Sequence, residues 1–225
     1  MLDIYVDYIS APSRAVLLLL KTQKVEYKEN IVQLAKGEHK SDRYKKINPF
    51  GLVPALVDDS FALTESSAIL RYIATSKPMT TNVYPSNQQS RARVDEYLSW
   101  HQSNIRKHTG SYFKYKIVDK LMLKLPIDEN KVTEHAGELN KRINELANIW
   151  LKTGPYMAGG ELTLADIQCI TELIQVRAAG FEIKENVVLE WIERVRESLA
   201  PHFDDMHRDI EKLCATLRCS GLKHE

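Results

Sequence analysis

Leu2-Asp3-Ile4-Tyr5-Val6-Asp7-Tyr8-Ile9-Ser10-Ala11-Pro12-Ser13-Arg14-Ala15-Val16-Leu17-Leu18-Leu19-Leu20 is the stretch whose reading decides the fold. Leu2, Ile4 and Val6 alternate with Asp3, Tyr5 and Asp7, the period-2 pattern of a strand. Helix-forming aliphatics follow, and the helix is expected over Arg14 to Lys24, with Pro12 placed at its start where a missing N–H costs nothing. Ser10 therefore falls where a strand gives way to a helix. Such a junction points backbone N–H groups and the positive helix end at whatever sits there, so it favours an anion. A thiolate held there would accept a hydrogen bond from the Ser10 hydroxyl. The bland reading of the same hydroxyl is a helix N-cap.

Working outward, Tyr27 to Ile31 reads as a second strand, which completes a βαβ unit with a right-handed crossover. A polar stretch, Lys36-Gly37-Glu38-His39-Lys40-Ser41, and a turn at Asn48-Pro49 come next. Pro54 to Asp58 and Phe61 to Thr64, separated at Asp58-Asp59-Ser60, form a hairpin. Glu65 to Ser76 is a helix with Ile69, Leu70 and Ile73 on its apolar stripe. Pro, Thr and Asn break the pattern from Pro78 to Ser86. Beyond it Val94, Tyr97, Leu98, His101 and Ile105 fall at helical spacing, as do Leu139, Ile143, Leu146 and Trp150. Leu164 to Ile174, Ile192 to Leu199 and Phe203 to Leu217 give three more helices. The expected architecture is an α/β domain over 1–79, a linker over 80–87 and an all-α domain over 88–225.

Composition narrows the function classes. With 31 Lys+Arg against 30 Asp+Glu, the chain offers no global charge for nucleic acid or an anionic membrane. No apolar run reaches the roughly 20 residues of a membrane span. Met1-Leu2-Asp3 lacks the basic and apolar regions of a secretory signal. Cys169, Cys214 and Cys219 form no CxxC and read as reduced thiols, so the cytoplasm is the expected location. His39, His101, His108 and His135 lack metal-ligand spacing, and no metal is expected. The basic stretches Arg106-Lys107-His108 and Lys114 to Lys120 read as solvated helix faces, a nucleic-acid adaptor being the alternative.

Three further motifs carry chemistry. In Gly51-Leu52-Val53-Pro54-Ala55-Leu56, proline opens an inner strand, where it removes a ladder donor. A cis Val53–Pro54 bond would free the backbone groups of Val53 to pair with an extended peptide, although base rates for X–Pro bonds favour trans. Thr64-Glu65-Ser66-Ser67 precedes a helix, either as a plain cap or as a site for the charged end of an amino acid. There Glu65 would take the ammonium, and Ser66 with the helix N–H groups the carboxylate. Thr163-Leu164-Ala165-Asp166 reads as a capping box with a hydrophobic staple between Leu162 and Ile167 and no chemistry of its own.

Taken in this order, the residues resemble a cytosolic glutathione S-transferase of the theta class, from Leu2 to about Leu217. The pieces that carry the resemblance are Ser10-Ala11-Pro12-Ser13-Arg14-Ala15-Val16, Lys36-Gly37-Glu38-His39-Lys40-Ser41, Leu63-Thr64-Glu65-Ser66-Ser67-Ala68-Ile69-Leu70 and Arg91-Ala92-Arg93-Val94-Asp95-Glu96-Tyr97-Leu98. The resemblance implies a thioredoxin-like domain with a cis-proline, a helical domain and a homodimer. It makes Ser10 the donor to the glutathione sulfur, with Arg106 near that sulfur and the second substrate. His39 and Lys40 would contact the glycyl carboxylate end, Val53 ahead of Pro54 the cysteinyl backbone, and Glu65 and Ser66 the γ-glutamyl end. Ile9, Tyr112 and Tyr115 are placed near the acceptor pocket. Ser10-Ala11-Pro12-Ser13 occupies the redox CxxC position, which excludes thiol–disulfide exchange there.

Two departures stand out: Leu52 replaces a lysine common just before the cis-Pro dipeptide, and the sequence stops at Glu225, short of an extended C-terminal segment. A more open acceptor site is expected. The implied activity is conjugation of glutathione, as co-substrate, to small hydrophobic electrophiles, with peroxidase activity toward organic hydroperoxides. A non-catalytic binding or scaffold protein of the same fold is the alternative.

Overall fold

The computed structural model describes residues 1–221, with side chains through Leu217; the Cys219 side chain and the last four residues of the expected helical domain lie outside that description. Strands β1 (Leu2–Val6), β2 (Tyr27–Ile31), β3 (Ala55–Asp58) and β4 (Phe61–Thr64) form one sheet in the order β2-β1-β3-β4. β1 runs parallel to β2, with Leu2 opposite Tyr27, and antiparallel to β3, with Leu2 opposite Asp58. Helices α1 (Ala11–Thr22) and α3 (Ser66–Ser76) pack together on the sheet, while the four-residue α2 (Asp42–Lys45) follows two 3₁₀ turns. This is a thioredoxin-like unit.

The rest is helical. α4 (Gln88–His101) runs through a π turn at Gln102–Arg106 into α5 (Lys107–Phe113), then through another at Lys114–Val118 into α6 (Asp119–Met122). α7 (Glu129–Glu145) ends in a third at Leu146–Trp150; α8 (Leu164–Ala178), α9 (Asn186–Ser198) and α10 (His202–Gly221) complete the chain. Among the described residues no helix is long and apolar enough to cross a membrane.

Every residue of α1 from Ala11 to Leu20 is buried, because α3 covers one side and α8 and α10 the other. A helix apolar all round is stable only when covered all round. It begins three residues earlier than the sequence suggests, since Ser10 caps it and Pro12 fits its first turn. It ends two residues earlier, where Lys24 takes a positive φ of 55°. Gln23 turns back there, its Oε1 accepting the N–H groups of Thr80 and Thr81, both at 3.0 Å. The 80–87 segment is pinned further along as well: Val83 is buried, and its carbonyl accepts the N–H of Leu164 at 2.9 Å.

α8 is the axis of the helical part, buried from Leu164 to Val176. Thr163 and Asp166 close the expected capping box. The fully buried Asp166 carboxylate also accepts the Met157 N–H and the Trp191 indole N–H, each at 2.9 Å. Burial raises the pKa of Asp166, and these hydrogen bonds oppose that rise.

Candidate active site

Ser10 has an extended backbone, φ −81° and ψ 116°, and its Oγ accepts the Ser13 N–H at 3.4 Å. The N-cap reading is therefore present in the structure. A hydroxyl carries two acceptor lone pairs and one hydrogen, so the cap leaves the hydrogen available for donation.

Two buried residues fix this loop, and neither was assigned a role from sequence. Asp7 accepts the Ile9 N–H through Oδ1 and the Leu34 N–H through Oδ2, both at 2.8 Å, joining the β1–α1 loop to the chain after β2. Arg14 is wholly buried. Its Nη1 donates to the carbonyls of Tyr8 (2.7 Å) and Ile9 (3.1 Å), and its Nη2 to the Thr171 carbonyl (3.1 Å) and Gln175 Oε1 (3.0 Å). Burial pushes the Arg14 pKa down to about 10, with Glu172 opposing. The loop's other hydroxyl, that of Tyr8, donates to Glu29 Oε1 at 2.8 Å, and burial followed by Glu29 raises its pKa.

The cis Val53–Pro54 bond is present. Among the described residues, no ladder bond or side chain takes up the N–H or C=O of Val53. The turn that presents it is held by Asn48 Nδ2 and the Tyr44 hydroxyl, which both donate to the Leu52 carbonyl at 2.7 Å. Gly51 has φ +60°, and a Cβ there would stand 2.8 Å from the His39 carbonyl, so the 38–40 turn lies directly against it. Lys40 Nζ donates to the Gly51 carbonyl at 3.0 Å. His39 Nδ1 is buried with no protein partner, and burial, then Lys40, lowers the ring's pKa. Leu52 is 54% exposed.

Glu65 sits just before α3 with φ +67° and ψ 112°, a conformation that costs a non-glycine residue of order 1–3 kcal/mol and clusters at functional sites. Its side chain is exposed, while Ser66 and Ser67 are buried under the helix start. Gln102 Nε2 donates to Ser67 Oγ at 2.6 Å, which links this corner to the helical part.

Arg106 occupies the first π turn. Its Nη1 lies 3.1 Å from Oε1 and 3.3 Å from Oε2 of Glu172, a carboxylate with no exposure, and Thr109 Oγ1 donates to the same carboxylate at 2.6 Å. The residues expected at the acceptor pocket have different neighbours. Ile9 is half-buried beside Ser10, and Tyr112 is buried with its ring 5.6 Å from that of Phe181. Tyr115 stacks on His135 with ring centroids 5.8 Å apart, and Lys114 Nζ lies over the Tyr115 ring, 4.4 Å from its centroid. His108 and His135, 27 residues apart, meet with their Nδ1 atoms 3.2 Å apart, a contact that sequence spacing does not show. A polar cleft of about 650 Å³ between β2 and the 38–47 segment contains none of the candidate residues.

A thioredoxin-like sheet with a cis-proline turn, a hydroxyl at the first strand–helix junction and a helical second part define the class to which the comparisons also point. The glutathione S-transferase N-terminal domain family matches residues 4–75. The chain is 33% identical to human glutathione S-transferase theta-1 over 94% of its own length and 89% of that protein's. It is 36% identical to rat glutathione S-transferase theta-2, over 88% of this chain and 82% of the relative. The structure of human glutathione transferase theta-2 in complex with glutathione and an unknown ligand superposes with a TM-score of 0.91 at 33% identity, covering 96% of this chain and 89% of that one. A human theta-class structure in complex with the glutathione conjugate of 1-menaphthyl sulfate gives the same TM-score and identity over 98% and 91%. The chain belongs to the glutathione S-transferase family, in its theta class, and is a transferase enzyme.

Proposed function

We propose that this enzyme joins the sulfur of glutathione to small hydrophobic electrophiles, with Ser10 as the group that holds that sulfur ionised. The observation that carries the reading is the Ser10 hydroxyl at the start of α1, whose cap uses a lone pair and not its hydrogen. A thiol with a pKa near 8.5 is only a few per cent ionised at pH 7. Lowering that pKa by about two units needs about 2.7 kcal/mol of preference for the anion. A hydroxyl donor to a charged group supplies about 1.5–3 kcal/mol, and the helix end adds about 0.3–1 kcal/mol.

The remaining candidates divide the tripeptide. The unpaired backbone of Val53, ahead of Pro54, matches a cysteinyl unit added as a strand. His39 and Lys40 suit the glycyl carboxylate. Glu65 suits the γ-glutamyl ammonium, and Ser66 with the α3 N–H groups its carboxylate. Arg106 is assigned to the sulfur and the second substrate, with Ile9, Tyr112 and Tyr115 toward the acceptor. Two of the superposed human structures are complexes with glutathione or its conjugate, which supports glutathione as the co-substrate.

The thiolate then attacks carbon, forming the C–S bond as the leaving group departs with the electron pair of the broken bond. With a hydroperoxide it attacks the O–O bond; the alkoxide released takes a proton, and the sulfenic acid formed condenses with a second glutathione to give disulfide and water. The family also supports a homodimer, a cytoplasmic location and a division into residues 1–79 and 88–225 about the linker.

Ser10→Ala tests the central claim. The pKa of bound glutathione, read from its ultraviolet thiolate band, should rise by about 1–2 units, the equivalent of about 1.5–3 kcal/mol. Turnover with an alkyl halide should fall at least tenfold at pH 7. An unchanged band and rate would end the assignment; glutathione binding with no thiolate band in the parent protein would favour the scaffold alternative.

A further inference from the structure

One turn of α8 holds both ends of the proposed reaction centre. Arg14 reaches from the carbonyls of Tyr8 and Ile9, the two residues before Ser10, to the Thr171 carbonyl and Gln175. Between those anchors, Glu172 receives Arg106 and Thr109. Glu172 has no exposure, whereas the Arg106 side chain is 37% exposed, so the carboxylate is the fixed partner and the guanidinium the reaching one. Arg14 and Arg106 lie close enough to repel each other, and Glu172 attracts Arg14 as well as Arg106. The turn thus carries two cations against one buried anion. A buried carboxylate with a single arginine nearby would be explained by that pair alone. Here a second arginine, tied to the serine loop and bonded to the residues on either side of Glu172 in the same turn, feels its charge without pairing with it.

We propose that Glu172 is a positioning residue that sets both the place and the effective charge of Arg106, and so tunes the acidity of the bound thiol. The inference rests on the reading of Ser10 and Arg106 given above. Glu172 touches no reacting atom. It neutralises part of the positive field that would otherwise act on the thiolate, and it limits how far Arg106 reaches toward the acceptor. The other titratable groups bearing on this turn are Asp7 from the serine loop, His101 and Tyr97 from α4, Cys169 from α8, and His207 and Cys214 from α10.

Glu172→Gln keeps the shape and an oxygen acceptor for Arg106 and Thr109 but removes the charge. The pKa of bound glutathione should fall by up to about one unit, the order expected for losing one nearby anion at an effective dielectric near 20. The KM for a small neutral electrophile should rise severalfold as Arg106 loosens. Glu172→Asp keeps the charge but withdraws it by one methylene, so thiol acidity should return to the parent value while KM stays raised. A merely structural role would move Tm in both variants and thiol acidity in neither. Should Glu172→Gln give no folded protein, Thr109→Val is read instead. It removes a donor that screens the carboxylate, and the thiol pKa should move the opposite way, upward. Unmoved thiol acidity in the folded variant overturns the proposal while leaving Ser10 intact. A parent protein that binds glutathione without ionising it overturns the underlying reading instead.

Discussion

Arg14 binds four acceptors on two parts of the chain with one planar fork. Lysine cannot reproduce that geometry, because its ammonium is a single point on a flexible stem. Arg14→Lys should therefore cost about 2–4 kcal/mol through buried carbonyls left unpaired. It should also lower turnover about tenfold by loosening the loop that carries Ser10. Urea unfolding and kcat measured on the same preparation check both; parent-like values in both would show that the fork is dispensable. Leu52 makes a gentler case. It is 54% exposed beside Gly51, whose carbonyl Lys40 holds. A lysine at position 52 would add one exposed cation near the proposed glycyl carboxylate. Exposed pairs contribute about 0–1 kcal/mol. The KM for glutathione in Leu52→Lys should fall by no more than about fivefold, with kcat unchanged. A larger effect, or a change in kcat, would place residue 52 closer to the chemistry than its exposure implies.

At the scale of elements, the start of α8 shows what a cap does when it is buried. Asp166 accepts from Met157 N–H, Thr163 N–H, Thr163 Oγ1 and Trp191 Nε1, at 2.9 to 3.0 Å. Asp166→Ala orphans four donors around a side chain without exposure, and each costs about 1–3 kcal/mol. A loss of at least about 3 kcal/mol is expected in urea unfolding, while kcat per folded molecule stays at the parent value in the cold. A drop in kcat of the folded fraction would give Asp166 a chemical role that its partners do not suggest. This cap was legible because Thr163 and Asp166 are three residues apart, as were β2 and the β3–β4 hairpin, whose periodicity and turn residues are local. The start of α3 was nearly so; the chain enters it one residue later than expected, at Ser66, because Glu65 takes a positive φ. The π turns carry no such signal, since Gln102–Arg106 reads as continuous helix. Arg14 and Glu172 were illegible for a related reason. Their partners stand 157 and 66 residues away, and nothing in a single sequence joins such positions.

Across the whole molecule, the covering of α1 by α8 and α10 makes its two parts mutually dependent, and two buried histidines report on that dependence. Burial, then the charge of Arg106, pushes His101 down to about 3; burial, then Arg14, pushes His207 down to about 3 despite the Phe203 carbonyl at 2.8 Å. Each ring also keeps an Nε2 with no protein partner. In the unfolded chain both titrate near 6.5. Above that value neither state binds the proton, and the full stability is present. As pH falls below 6.5 the unfolded chain takes up protons that the folded one refuses, so stability is lost down toward pH 3. Each histidine should remove about 2 kcal/mol between pH 7 and pH 5, at about 1.4 kcal/mol per pH unit below 6.5. His207→Gln should reduce that slope by roughly half, and because His207 lies in the helix that covers α1, a single unfolding transition should shift as one. Urea midpoints by fluorescence and circular dichroism at pH 7.5, 6 and 5 check the argument. Equal stability at pH 7.5 and 5 would mean that both rings accept protons in the folded state. Separate transitions by the two probes would mean that α1 can be uncovered without unfolding the rest.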